Sequence, residues 1–189
     1  MGEIRKDLVF FEESGGGVSF SGGEPLSQPE FLAAMLDACA AEGIHRVVDT
    51  SGFAPTDVVR RIAPKVDLFL FDLKLINDVR HKDIVGASNH LILENLRVLA
   101  SLRCPMVIRI PIVPGVNDDA VNIGDSINML SRLGLHDVAL LPYHAIGTDK
   151  YARLGREYPL ANVATPSPAH MEEIAERFRC DGFAVSIGG

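Results

Sequence analysis

Six short runs rich in β-branched, leucine and aromatic residues recur along the chain, most of them followed by a longer amphipathic stretch. Few folds accept that alternation. A strand, a helical crossover and another strand make the unit of a parallel sheet, and its repetition selects an α/β architecture. The runs are Val18–Phe20, Arg46–Asp49, Leu68–Leu73, Met106–Ile112, Val138–Leu141 and Phe183–Ile187. Leu68–Leu73 is almost continuously apolar, which predicts a strand covered on both faces. Helices are predicted over Pro29–Glu42, Thr56–Ala63, Asn89–Leu102, Asp119–Leu133 and Pro168–Phe178, with an opening helix over Glu3–Glu13. Phe31, Leu32, Met35, Leu36 and Cys39 mark the expected buried stripe of Pro29–Glu42, and Ile4, Leu8 and Phe11 that of the first helix.

No linker, repeat or low-complexity tract divides the 189 residues, so a single domain over 1–189 is expected. A net charge of −7 argues against nucleic acid, whose phosphates call for a basic face. No apolar run approaches the roughly 20 residues that span a bilayer. Met1–Asp7 is polar and charged, unlike a secretory leader, which points to the cytoplasm and away from membranes. The three cysteines, Cys39, Cys104 and Cys180, are far apart and have no metal-ligand spacing.

In βα repeats, ligands gather at the carboxyl ends of the strands. Just beyond the first strand lie Ser21, Gly22, Gly23 and Glu24, where glycine lets a ligand touch the backbone. The second strand ends in Asp49, Thr50 and Ser51, the third in Asp72 and Lys74, the fourth carries Arg109, and the fifth ends in Tyr143 and His144. Alternation puts Asp49 and Ser51 on one face, and Asp72 and Lys74 likewise. Each group has a plain structural reading: Asp49–Gly52 as a turn, Asp72 with Lys74 as a rim ion pair, Arg109 paired with a carboxylate such as Asp72, His144 as a hydrogen-bonded histidine. Lys74 also suits a Schiff-base lysine of a barrel aldolase or lyase. Polar groups ending consecutive apolar strands at one end of a sheet nevertheless indicate a ligand site.

Six segments, SGGGVSFSGGEPLSQPEF, AEGIHRVVDTSG, DLFLFDLK, HKDIVGASN, VIRIPIVPGVND and LLPYH, resemble in this order the activating enzymes of glycyl radical enzymes, within the radical S-adenosylmethionine superfamily. The resemblance runs over nearly the whole chain. It implies a partial (β/α)6 TIM-like barrel. It also implies reductive cleavage of S-adenosylmethionine to a 5′-deoxyadenosyl radical, which takes hydrogen from a glycine of a partner such as pyruvate formate-lyase. Ser21, Gly22, Gly23 and Glu24 match the segment that holds the methionine amino group, and Lys74 the residue that reaches its carboxylate. Ser51 matches a position bordering the methionine, and His144 one at the ribose. Asp49, Thr50 and Asp72 match positions that hold a monovalent cation. Arg109 and the loop containing Val113, Pro114 and Gly115 match the surface facing the partner, and Tyr143–Tyr158 is expected to help select that partner. The intact enzyme would draw its electron from a flavodoxin- or ferredoxin-type donor.

The family's CxxxCxxC loop, which binds a [4Fe-4S] cluster, and its first strand have no counterpart in these residues. A truncated barrel that does not generate radicals alone is therefore expected, with an exposed sheet edge open to dimerisation. A non-catalytic binding module is the further alternative.

Overall fold

The computed structural model describes residues 1–144 and 163–188. Among them a six-stranded, wholly parallel sheet runs in the order β1-β2-β3-β4-β5-β6, each strand beside its neighbour in sequence. The strands are β1 (Gly17–Phe20), β2 (His45–Thr50), β3 (Leu68–Asp72), β4 (Met106–Ile112), β5 (Asp137–Pro142) and β6 (Ala184–Ile187). The sheet does not close on itself, leaving β1 and β6 as its edges. Helices α1 (Leu8–Ser14), α2 (Pro29–Ala41), α3 (Thr56–Ile62), α4 (Asp78–Val85), α5 (His90–Ser101), α6 (Ala120–Leu133) and α7 (Pro168–Cys180) precede, connect or follow them.

One continuous core lies between the sheet and its helices. Phe69, Phe71, Ile108, Ile110 and Ile112 meet Leu36, Ile62, Leu96, Ile123, Leu130, Ile174 and Phe178 there. Along β4 every second residue is buried, and the residues between are half-buried. β3 shows the same alternation, with Phe69 and Phe71 buried and Leu68, Leu70 and Asp72 not. The expectation that β3 is covered on both faces is thus corrected. Helices cover one face, while an unclosed sheet leaves the concave face partly open.

Helix α2 buries Leu32, Leu36 and Cys39, but Phe31 is 63% exposed. With the stripe centred on 32, 36 and 39, a side chain one position earlier turns roughly 100° away from it. The opening helix keeps Ile4, Leu8 and Phe11 half-buried, but it begins as a 3₁₀ turn over Ile4–Asp7 and becomes α-helical at Leu8. Helix α4 has no counterpart in the sequence-based expectation. DVRHKDIV carries no apolar stripe, and among its residues only His81 is buried. Asn77 starts it, its side chain accepting from the Arg80 amide at 3.0 Å. No helix among the described residues is long and apolar enough to cross a membrane.

Candidate active site

The strand register sets the site. Asp72 lies opposite Arg109 across the β3–β4 pairing, and Asp49 is one strand further along the same concave face. Arg109 donates through Nε and Nη2 to Asp72 Oδ1 at 2.9 and 2.7 Å, and Nη2 also bonds Asp49 Oδ1. Asp49 completes its pairing by accepting from Ser21 Oγ at 3.0 Å. All three ionic side chains are three-quarters or more buried. Burial pushes the Asp72 carboxyl above the ordinary aspartate range, and the Arg109 guanidinium only partly pulls it back. Burial weakens the charged form of Arg109, but Asp72 and Asp49 more than restore it.

Glu24 binds the ends of two strands together. Its Oε1 accepts from Thr50 Oγ1 at 2.6 Å and from the Leu26 amide at 3.1 Å, and its Oε2 accepts from Ser51 Oγ at 2.6 Å and the Ser51 amide at 3.0 Å. The carboxylate expected to face a ligand amine is therefore built into the wall of the site. Two glycines shape what lies around it. Gly22 has φ +122°, outside the range of ordinary L residues, and an added Cβ there would meet open space. Gly52 has φ +72°, and a Cβ would sit 2.5 Å from Phe71 Cζ.

Ser21, Gly22, Gly23, Glu24, Asp49, Thr50, Ser51, Asp72, Lys74 and Arg109 line one cleft of about 430 Å³, within the range of small-molecule sites. Every residue expected at the ends of the first three strands is brought together there. Arg109, expected to face a partner, sits among them instead, in the carboxylate pairing that the sequence offered as its plainer reading. Asp49 and Asp72 share the open face, whereas Thr50 turns to the opposite side and is committed to Glu24. Lys74 Nζ makes no hydrogen bond or ion pair among the described residues, although its charge is felt at Asp72. His144 is exposed beyond β5 and does not line the cleft. Val113, Pro114 and Gly115 form a turn next to β4, closed by Val116 N to Val113 O at 3.0 Å and Gly115 N to Asp118 Oδ1 at 2.8 Å. Of Tyr143–Tyr158, all but Tyr143 and His144 lie outside the described residues.

Sequence reasoning missed a set of buried asparagines. Asn95 on α5 donates through Nδ2 to the carbonyls of Gly52 and Ala54, both at 2.7 Å, fixing the turn after β2. Asn89, Asn117 and Asn122 are likewise buried among strand-end loops. Asn89 and Asn117 fall within the segments HKDIVGASN and VIRIPIVPGVND, but an asparagine in a helix or turn carries no pattern of its own that names its partners.

The thiols do not assemble. Cys39 is buried in α2, Cys104 is half-buried ahead of β4, and Cys180 is exposed at the end of α7. Burial pushes the Cys39 and Cys104 thiols up, against the thiolate that a cluster requires. These residues do not fit an iron–sulfur cluster.

The sequence pattern of the Radical SAM superfamily matches residues 2–126, about two thirds of the chain and the whole of the cleft lining. The chain belongs to the radical SAM superfamily. It is 41% identical to the trans-4-hydroxy-L-proline dehydratase activating enzyme of Clostridioides difficile, covering 99% of this chain and 63% of that protein. It is 39% identical to the choline trimethylamine-lyase activating enzyme of Oleidesulfovibrio alaskensis, with 97% and 61% covered. The chain thus spans about three fifths of the length of these curated relatives. A crystallised domain of the pyruvate-formate lyase-activating enzyme from Bacteroides vulgatus superposes with TM-score 0.78 at 36% identity, covering 92% of this chain and 99% of that one. Its partial radical SAM barrel is the same open architecture.

Proposed function

We propose that the chain is the S-adenosylmethionine-binding portion of a glycyl-radical activating enzyme. The observation that carries this is the division of charge in the cleft. Arg109 pairs with both Asp49 and Asp72 and offsets one of their two charges, while Lys74 is left without a partner among the described residues at the same rim. A zwitterionic amino-acid end suits such a site: its carboxylate goes to Lys74, and its ammonium to the backbone of Ser21–Gly23 and the aspartate side. Glu24 holds the wall in place, and Ser51 faces the ligand from the second strand. His144, exposed next to the cleft strands, is the candidate for the ribose.

In an intact enzyme that also carries a [4Fe-4S] cluster, this ligand would be the source of a 5′-deoxyadenosyl radical for hydrogen abstraction from a partner's glycine. The present residues position and shield; they do not hold the cluster, and we infer that the chain alone is inactive in that reaction. The partner is a glycyl radical enzyme, of which pyruvate formate-lyase is one candidate, met by the Val113–Gly115 turn. The electron donor is of the flavodoxin or ferredoxin type. A monovalent cation at Asp49, Thr50 and Asp72 would share its carboxylates with Arg109, so replacing potassium by a tetraalkylammonium ion should weaken ligand binding. The β1 edge offers a pairing surface for a second copy, and a strictly monomeric sedimentation profile would exclude it.

Isothermal titration with S-adenosylmethionine is the test. Measurable binding that falls about tenfold or more in Lys74→Met is expected, the loss of one charge-assisted hydrogen bond. No binding by the wild-type chain, or equal binding by the variant, would overturn the assignment. Borohydride trapping of a carbonyl compound on Lys74 would favour the aldolase alternative instead.

A further inference from the structure

The sheet stops supplying hydrogen bonds at the residue before Lys74. The last one along this strand runs from the Leu73 amide to the Arg109 carbonyl at 2.9 Å. Lys74, Leu75 and Ile76 then continue as irregular backbone, with Leu75 only 2% exposed. Buried peptide groups need partners, and water has little access here.

Three asparagine side chains take that role. Asn117 Nδ2 donates to the Lys74 carbonyl at 3.0 Å and to the Pro111 carbonyl at 2.6 Å, while its Oδ1 accepts from the Val113 amide at 2.8 Å. Asn89 Nδ2 donates to the Leu75 and Ile76 carbonyls, both at 2.8 Å. Asn122 accepts from the Ile76 amide at 3.1 Å and donates to the Asn117 carbonyl at 2.9 Å. All three are 1–2% exposed. They come from the start of α5, the loop after β4 and α6. A carboxamide carries the donor and acceptor set of a peptide group without charge, so it can replace an absent neighbouring strand. Aspartate cannot, because both its oxygens only accept.

We infer that Asn117, braced by Asn122 and opposed by Asn89, is the positioning residue for Lys74. It fixes where the ammonium stands above the cleft, and so how tightly the ligand's carboxylate is held; this rests on the ligand proposed above. The same carboxamide holds the Val113 amide, so the turn beside β4 and the Lys74 segment are fixed by one side chain. Asn117 itself touches no ligand.

The test compares S-adenosylmethionine with its decarboxylated analogue, which lacks the group Lys74 binds, by calorimetry on wild type, Asn117→Ala, Lys74→Met and the double variant. Asn117→Ala should lose about tenfold or more toward S-adenosylmethionine and less than about twofold toward the analogue. It should lose nothing further in the Lys74→Met background. Equal losses toward both ligands, or losses that multiply in the double variant, would overturn the inference. Asn122→Ala, which loses the bonds to the Ile76 amide and the Asn117 carbonyl but leaves the bond from Asn117 to Lys74, should show the same pattern at smaller amplitude and serves if Asn117→Ala does not fold. If wild type binds neither ligand, the ligand assignment fails on its own, and the lysine 13Cε spectrum decides the rest. The Lys74 resonance should then move into the envelope of exposed lysines in the variant, with the other lysines unchanged. A Lys74 resonance that stays in place would refute the positioning role.

Discussion

Replacing Glu24 by glutamine separates a wall residue from a ligand contact, because the carboxylate here accepts four hydrogen bonds. Each oxygen faces one backbone amide and one hydroxyl: Leu26 N and Thr50 Oγ1 on one side, Ser51 N and Ser51 Oγ on the other. The hydroxyls can rotate to accept, but the amides cannot. Whichever way a glutamine is turned, its NH2 group therefore confronts one backbone N–H. Leaving a buried donor unpaired costs about 1–3 kcal/mol, and the surviving bonds lose their charge assistance. Glu24 itself is half-buried, so a total of about 2 kcal/mol is expected, at the middle of that range. In a domain of this size that lowers Tm by about 4–8 °C. Thermal unfolding of the ligand-free chain, followed by far-ultraviolet circular dichroism, measures it. A Glu24→Gln variant melting within about 1 °C of wild type would show that the four bonds add nothing to the fold. The carboxylate would then belong to the ligand instead.

Arg109→Met should destabilise the chain by about 2 kcal/mol, less than the loss for a fully buried pair because some solvent reaches all three groups. Without the guanidinium the raised Asp72 carboxyl rises further, so its charged form is the destabilised one. The deficit should be largest above the folded pKa and shrink as pH falls through it; urea unfolding at several pH values would contradict this if the deficit grew toward acid. Gly52→Ala combines a left-handed backbone with a clash on Phe71 and should cost about 3 kcal/mol. Gly22→Ala meets open space and should cost about 1–2 kcal/mol, so reversed melting temperatures for the two variants would refute the difference. The Arg46 guanidinium holds the Asp67 carboxyl below the usual aspartate range. That stability is present above the unfolded pKa and lost as pH falls through the folded one. Asp67→Asn should therefore be less stable at neutral pH, by about 1 kcal/mol for a pair whose carboxylate is about a third exposed, and shallower in acid unfolding.

Much of this molecule was legible because its signals are local and periodic. Apolar runs such as Met106–Ile112 fixed the strands, and reading one step past each strand end found Ser21, Asp49, Asp72 and Lys74 in a single cleft. Two kinds of feature escaped. Helix α4 is held by its asparagine cap and by Arg80, which bonds Asp119 at 2.6 Å and the Val116 carbonyl at 2.7 Å, interactions that leave no periodic trace. The unclosed sheet was expected from the family resemblance, although LFLFDL by itself reads the same in either case. The direction of Glu24, and the partners of Asn89, Asn95, Asn117 and Asn122, depend on which loops come to lie beside them.

Because each strand pairs with its sequence neighbour, space in this sheet is ordered like time in synthesis. Among the described residues, every one lining the cleft lies between Ser21 and Arg109, and the asparagines that brace it are complete by Asn122. The whole described cleft lining has therefore been synthesised before the first residue of β5 is made. The last two strands and α7 act as a buttress, added to a pocket whose parts already exist. Damage within β5, β6 or α7, His144 at the proposed ribose position apart, should reach the ligand through stability, whereas damage to the first half strikes stability and recognition together.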